Sequence, residues 1–155
     1  MIEPISSFAS RFKANVSLDE SLVVKEQNRY FLINENLKKL MAKDFYYAGV
    51  YLGKTKNGKF FPSFSLLAMI AARKANKVVV DAKSAWLFIC GRDIFRRGIV
   101  KASDSEEKGA SVLVLNKYGE CLGFGTITRD LNKGGEKDVV VKNVSDVGDF
   151  LRRET

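Results

Sequence analysis

The chain predicts an α+β protein: a small N-terminal α/β domain with an antiparallel sheet over residues 1–75, then a small closed or nearly closed barrel over residues 76–155. Three observations lead there. In the first half, pairs of strand-like runs alternate with segments of helical period. In the second half, four short strand-like runs follow one another between close-spaced turns, with apolar residues for both inside and outside. Between them, around Ala75-Asn76, the character of the sequence changes without a low-complexity linker or a repeat. The length of 155 residues, with 46% hydrophobic and 28% charged residues, suits one ordinary domain or two small ones.

Residues 2–14 read as a short helix, because Ile5, Phe8 and Phe12 recur at spacings of three and four. Residues 22–27 and 29–34 are rich in branched and aromatic side chains and read as two strands joined at Gln27-Asn28. Asn34 is placed to cap a helix in which Leu37, Leu40 and Met41 form the buried stripe and Glu35 can pair with Lys39. Lys38, Lys39 and Lys43 are then either a solvated face or part of a basic patch. Tyr46 to Lys56 reads as a long strand ending at Asn57-Gly58, the strongest short hairpin signal. A helix follows Ser63, with Phe64, Leu67, Ala68, Ala71 and Ala72 on one face. Past the boundary come a strand (78–81) and an apolar helix (82–91). Four strand-like runs and a last helix from Ser145 follow, with Lys117-Tyr118-Gly119-Glu120 as one of the turns.

The net charge of +8 calls for a polyanionic partner, nucleic acid or an acidic membrane surface. It is uneven: residues 1–75 hold 12 Lys/Arg against 6 Asp/Glu, residues 76–155 hold 14 against 12. No amphipathic segment pairs a basic face with a bulky apolar one, and no apolar run approaches a membrane span, which disfavours the membrane. Cys90 and Cys121 show neither metal-ligand nor disulfide spacing, and no signal-like segment opens the chain, so a reducing cytoplasm is expected.

Gly49 to Thr55, GVYLGKT, has the tail of a phosphate-binding loop. Only Val50, Tyr51 and Leu52 separate its glycines, one short of the required four, and an Asn-Gly turn stands where a helix must begin. Those three residues favour a strand. Asp81, after Val78-Val79-Val80, is expected to cap the next helix rather than hold a metal. The chain has no histidine, so the usual general base and metal ligand are both missing. Cys90, inside Trp86-Leu87-Phe88-Ile89, is expected to be buried and inert. Gly123 and Gly125 lack the third glycine of a dinucleotide fingerprint and are expected to relieve crowding where a barrel strand bends. Nothing points to an enzyme, a cofactor or a metal.

DAKSAWLFICGRDIFRRGIV, VLVLNKYGECLGFGTI and KNVSDVGDFLRR resemble a PUA domain, an RNA-binding pseudo-barrel. YAGVYLGKTKNGKFFPSFSLLAMIA directly before it makes the whole similar to the nuclear-import-protein-seven family of large-subunit ribosome-biogenesis factors. The resemblance covers about residues 46–155 well, and the chain's shortness looks archaeal. It implies a non-enzymatic RNA-binding factor in ribosomal RNA processing, and a cytoplasmic monomer is expected. Its partners would be single-stranded or uridine-rich ribosomal RNA, the pre-ribosomal large subunit and the RNA exosome. Lys142 matches a position that the family uses on its last strand. Its neighbours Asp138, Val139 and Ser145 are not basic, which moves the expected charge to Arg129, Lys133 and Lys137. Arg152 and Arg153 extend that set, and Arg92, Arg96 and Arg97 form a second one after the first barrel helix. Tyr118, Tyr47 and Tyr51 are candidates for base stacking or, alternatively, packing. A different reading makes the protein a scaffold that docks processing partners through its basic N-terminal domain. An RNA-modifying enzyme is disfavoured, since residues 1–75 hold only Asp19 and Asp44 as aspartates.

Overall fold

Two sheets share the molecule. The computed structural model describes residues 2–41, 45–103, 107–132 and 135–153. Helix α1 (Glu3–Ser10) leads into the antiparallel meander β1 (Val23–Glu26), β2 (Arg29–Leu32), β3 (Val50–Lys56) and β4 (Lys59–Pro62). The short α2 (Glu35–Leu40) interrupts it and α3 (Phe64–Ala71) follows it. The second sheet has the order β6-β10-β9-β8-β5-β7. Its strands are β5 (Lys77–Val80), β6 (Ile94–Phe95), β7 (Ile99–Ala102), β8 (Ser111–Leu115), β9 (Cys121–Ile127) and β10 (Val139–Asp146). Its helices are α4 (Ala82–Ile89) and α5 (Val147–Arg153). The two edge strands β6 and β7 are joined by a single 3-10 turn, Arg96–Gly98, so the turn itself nearly closes the barrel.

Local chemistry sets these elements. Asn34 accepts the Leu37 N–H at 2.8 Å, Ser63 that of Leu66 at 3.1 Å and Asp81 that of Ser84 at 2.7 Å, each satisfying an orphan donor at a helix start. Asn57 and Gly58 take φ of 52° and 74°, the mirror-image turn that matches strand twist, and GVYLGKT lies in β3 as expected.

β8 explains how the sheets fit together. Every residue of it is buried. Val112 and Val114 enter the barrel core with Val78, Val80, Phe88 and Val140. Leu113 and Leu115 point the other way, into a core with α1, α3, Tyr30 and Leu52. A strand covered on both faces reads as one continuous apolar run. Phe8, Phe12 and Phe124 meet edge-on across that seam at 5.2–5.7 Å. Asn76, 4% exposed, stitches it: its N–H donates to Phe12 at 2.7 Å and its carbonyl accepts from Leu113 at 2.9 Å.

Several expectations need correction. Leu40 is 83% exposed and Leu37 and Met41 are only half-buried, so α2 has no buried stripe. The helix stops at Leu40, and Met41 is already extended with ψ of 129°, so the expected stripe loses its last member. Among the described residues no ion pair joins Glu35 to Lys39, and Lys43 lies outside them. β3 begins at Val50 rather than Tyr46, because Gly49 turns the chain with φ of +63°. α3 buries Leu66, Leu67 and Ile70, leaving Ala68 and Ala72 exposed, since larger side chains gain more by turning inward. β6 is an additional strand. Cys90, expected inside, is exposed, because α4 buries only Phe88. Among the described residues no helix is long and apolar enough to cross a membrane.

Candidate nucleic-acid interface

The expected basic residues whose side chains are described lie along β10 and its flanks. This strand pairs Val139 with Phe95 and Val141 with Ile94 on one side, and Lys142 with Thr126 on the other. Val140 and Val141 sit in the barrel core, whereas Lys142 and Val144 are exposed. Seven residue steps separate its ends, roughly 23 Å at a strand's rise.

At the start of β10 the loop before it folds against the 3-10 turn. The backbone N–H groups of Arg96 and Arg97 donate to the carbonyls of Asp138 and Glu136 at 2.9 and 3.1 Å. Arg96 Nε donates to the Leu131 carbonyl at 3.0 Å, and Leu131 plugs the barrel core. Arg129 Nη1 meets Asp138 Oδ2 at 3.3 Å, and that oxygen also accepts the Gly135 N–H at 2.7 Å. Arg96 and Arg129 are therefore committed to holding the loop. Arg97 and Lys137 stand exposed beside them, with the Arg97 guanidinium 5.6 Å from the Phe95 ring centroid.

At the other end Asp146, 2% exposed, accepts the Asp149 N–H at 2.7 Å and the Asn143 side-chain N–H at 3.1 Å. Arg152 lies 3.5 Å from the same carboxylate and donates to the Ile89 carbonyl at 3.2 Å. Asn143 also donates to the Phe88 carbonyl at 2.9 Å, and its N–H to Asp93 Oδ1 at 2.9 Å. Arg152 thus belongs to a clip that locks β10, α4 and α5 together. Arg92, just past α4, is exposed. Lys133 and the Arg153 side chain lie outside the described residues.

The structure so regroups the two expected sets. Arg96, Arg97, Arg129 and Lys137 meet at one end of β10, Lys142 lies midway, Arg92 stands beside Asn143, whose side chain donates to the Arg92 carbonyl at 3.4 Å, and Arg152 lies at the other end. Among the described residues the side chains of Arg92, Arg97, Lys137 and Lys142 make no hydrogen bond or ion pair, so their charge is open to a ligand. Phosphates are the natural partners of such a row.

Of the aromatic candidates, Tyr118 is 75% exposed at the β8–β9 turn, under the Lys117 ammonium. Tyr47 is partly open. Tyr51 packs on Phe31 at 5.6 Å; burial pushes its phenol above the ordinary value, against the opposing pull of Arg29. Trp86, 65% exposed on α4, escaped the sequence reading because its apolar neighbours hide the helix phase. Lys83 and Cys90, three before and four after it and both exposed, mark that solvent face.

The cysteines differ in reactivity. Burial pushes the Cys121 thiol up to about 11, while Cys90 is exposed. Iodoacetamide at pH 8 is expected to add one carbamidomethyl group, at Cys90, with Cys121 reacting only as pH nears 11; intact-mass and peptide analysis check this.

Residues 76–155 match the UPF0113 PUA-domain family model. A UPF0113 protein of Archaeoglobus fulgidus is 31% identical over 112 residues, which span 70% of this chain and 63% of that protein. A 60S ribosome subunit biogenesis protein NIP7 homolog of Danio rerio is 28% identical over 135 residues, 82% of this chain and 75% of the relative. In fold, the chain is similar to a conserved PUA domain protein from Thermoplasma acidophilum, with a TM-score of 0.63, 21% identity and coverage of 98% and 92%. With its barrel nearly closed through the 3-10 turn and this agreement in sequence, the chain belongs to the UPF0113 PUA-domain family.

Proposed function

We propose that this protein is a non-enzymatic RNA-binding factor of large-subunit ribosome biogenesis, in which residues 76–155 hold single-stranded or irregular ribosomal RNA. The observation that carries the reading is the row of uncommitted cations along β10: Arg97 and Lys137, then Lys142, then Arg92. The relatives named for 60S subunit biogenesis supply the context. The mechanism is electrostatic. Each phosphate that a Lys or Arg neutralises releases counterions, so affinity falls steeply with salt. The committed Arg96, Arg129 and Arg152 keep the loop and helix from moving as RNA binds, which lowers the ordering cost. Trp86 and Tyr118 offer exposed rings to unpaired bases. In this reading residues 1–75 form a second unit packed on the barrel through the Phe8, Phe12 and Phe124 seam.

The test is charge reversal at two exposed positions that hold nothing in place, Lys142→Glu with Arg97→Glu. The double variant should keep the wild-type melting temperature and bind a fluorescein-labelled oligouridylate at least tenfold more weakly at about 0.1 M salt. The slope of log affinity against log salt should flatten by about 1.4, two contacts at ~0.7 each for a single strand. An unchanged slope removes this row from the site.

A further inference from the structure

The outer face of the first sheet repeats the chemistry of the barrel on a different surface. In register, Arg29 lies opposite Lys54 and Glu26, Phe31 opposite Tyr51, and Lys56 opposite Lys59. By register, the face that carries Arg29 holds four cations, Arg29, Lys54, Lys56 and Lys59, against one carboxylate, Glu26, while Lys25 shares the face of Tyr30. Tyr30 and Leu52 face the shared core. Arg29 and Phe31 face away from it, and on them rest the side chains that enter β3. Tyr47 meets Phe31 edge-on at 5.2 Å. The Arg29 guanidinium lies 4.8 Å from the Tyr46 ring centroid and 5.4 Å from that of Phe31, and donates to the Tyr46 carbonyl at 2.6 Å. Tyr46 is nonetheless 84% exposed. It is a ring backed by a cation, fixed at its main chain and open to solvent, at the lip of a shallow groove of about 420 Å³ lined by Glu26, Gln27, Arg29, Phe45 and Tyr46.

The Arg29 guanidinium lies against the Tyr46 ring, and the rest of that ring is open to water. A ring stacked on an arginine, with Lys54 across the ladder from that arginine, suits an unpaired nucleobase with its phosphates alongside, since stacking and charge then act together. An acidic protein segment would use the cations but leave the ring idle. We propose that the outer face of the first sheet is a second contact surface for the same single-stranded RNA, with Tyr46 stacking an unpaired base and Arg29 and Lys54 flanking it as phosphate contacts. The inference rests on the RNA-binding reading of the barrel and extends it to residues 1–75.

The experiment titrates labelled oligouridylate of about 20 nucleotides into the full chain, its Tyr46→Ala and Tyr46→Phe variants, and the barrel double variant. Tyr46→Ala should weaken binding about tenfold with the salt slope unchanged, because a ring and no charge is lost. Tyr46→Phe, which keeps the ring, should bind as wild type. Arg29→Gln should weaken binding and flatten the slope by about 0.7. In parallel, photocrosslinking with 4-thiouridine in the strand should label the peptide that contains Tyr46. Wild-type affinity in Tyr46→Ala overturns this inference, as does an equal loss in Tyr46→Phe; the barrel reading then stands if its double variant binds weakly. A wild-type chain that binds no oligouridylate overturns both.

Discussion

Gly123→Ala is expected to destabilise the protein by roughly 3–5 kcal/mol, the sum of a strained backbone and an overpacked contact. Gly123 sits in β9 at φ of +144°, a conformation that side chains rarely adopt. A Cβ there would stand 2.1 Å from the Ser145 carbonyl oxygen and 2.8 Å from the Asp146 Cα. Both neighbours are backbone of β10, so no rotamer change relieves the clash. β10 would have to retreat just where its register to β9 shifts, between Asn143 and Ser145. That retreat would also disturb the Asp146 clip and the strand that carries Lys142. Against a total stability of about 5–15 kcal/mol the loss is large. Gly58→Ala provides the contrast, since φ there is +74° but nothing lies within 4 Å of an added Cβ. It should cost about 1 kcal/mol. Urea titration followed by circular dichroism measures both, and equal costs would contradict the crowding argument.

The second large effect is expected from Asp146→Ala, about 3 kcal/mol. Its carboxylate caps α5 through the Asp149 N–H and holds the Asn143 side chain, which also spans to α4. Removing it loses a cap worth roughly 0.5–2 kcal/mol and weakens a buried amide's bonding at about 1–3 kcal/mol. Arg152 loses its ion pair as well, though at 51% side-chain exposure that pair adds little. Asp146→Asn keeps an acceptor at the cap and should cost less than half as much. Hydrogen exchange should show α5 amides opening in the alanine variant while β8 amides stay protected. Uniform protection of α5 would show that the clip is not what holds the helix.

Much of this architecture was legible because short-range chemistry decided it. Asn34, Ser63 and Asp81 cap the helices that follow them, and Asn57-Gly58 makes the hairpin, each through bonds or dihedrals within a few residues. Helix phase was less legible. In α2, α3 and α4, of six to eight residues, two turns of pattern leave the inward direction open, and tertiary packing chose it. That is why Leu40, Trp86 and Cys90 face solvent. The candidate site was legible in composition but not in allocation. Arg129 looks like Lys142 in the sequence, yet only the fold brings Asp138 to it and leaves Lys142 uncommitted. Tyr46 reads as strand in the sequence because nothing local reveals that Arg29, 17 residues away, fixes it at a groove.

The central claim is that the chain binds unpaired RNA through phosphates. It is tested most directly by anisotropy titration of the wild-type protein with a uridine-rich single strand and a matched duplex at several salt concentrations. The account predicts micromolar or tighter binding to the single strand, a clear preference over the duplex, and a log–log salt slope of about −3 from the four barrel cations, rising to about −4 where Arg29 and Lys54 join them. Saturable binding that ignores salt, or none to either strand at low salt, would contradict it.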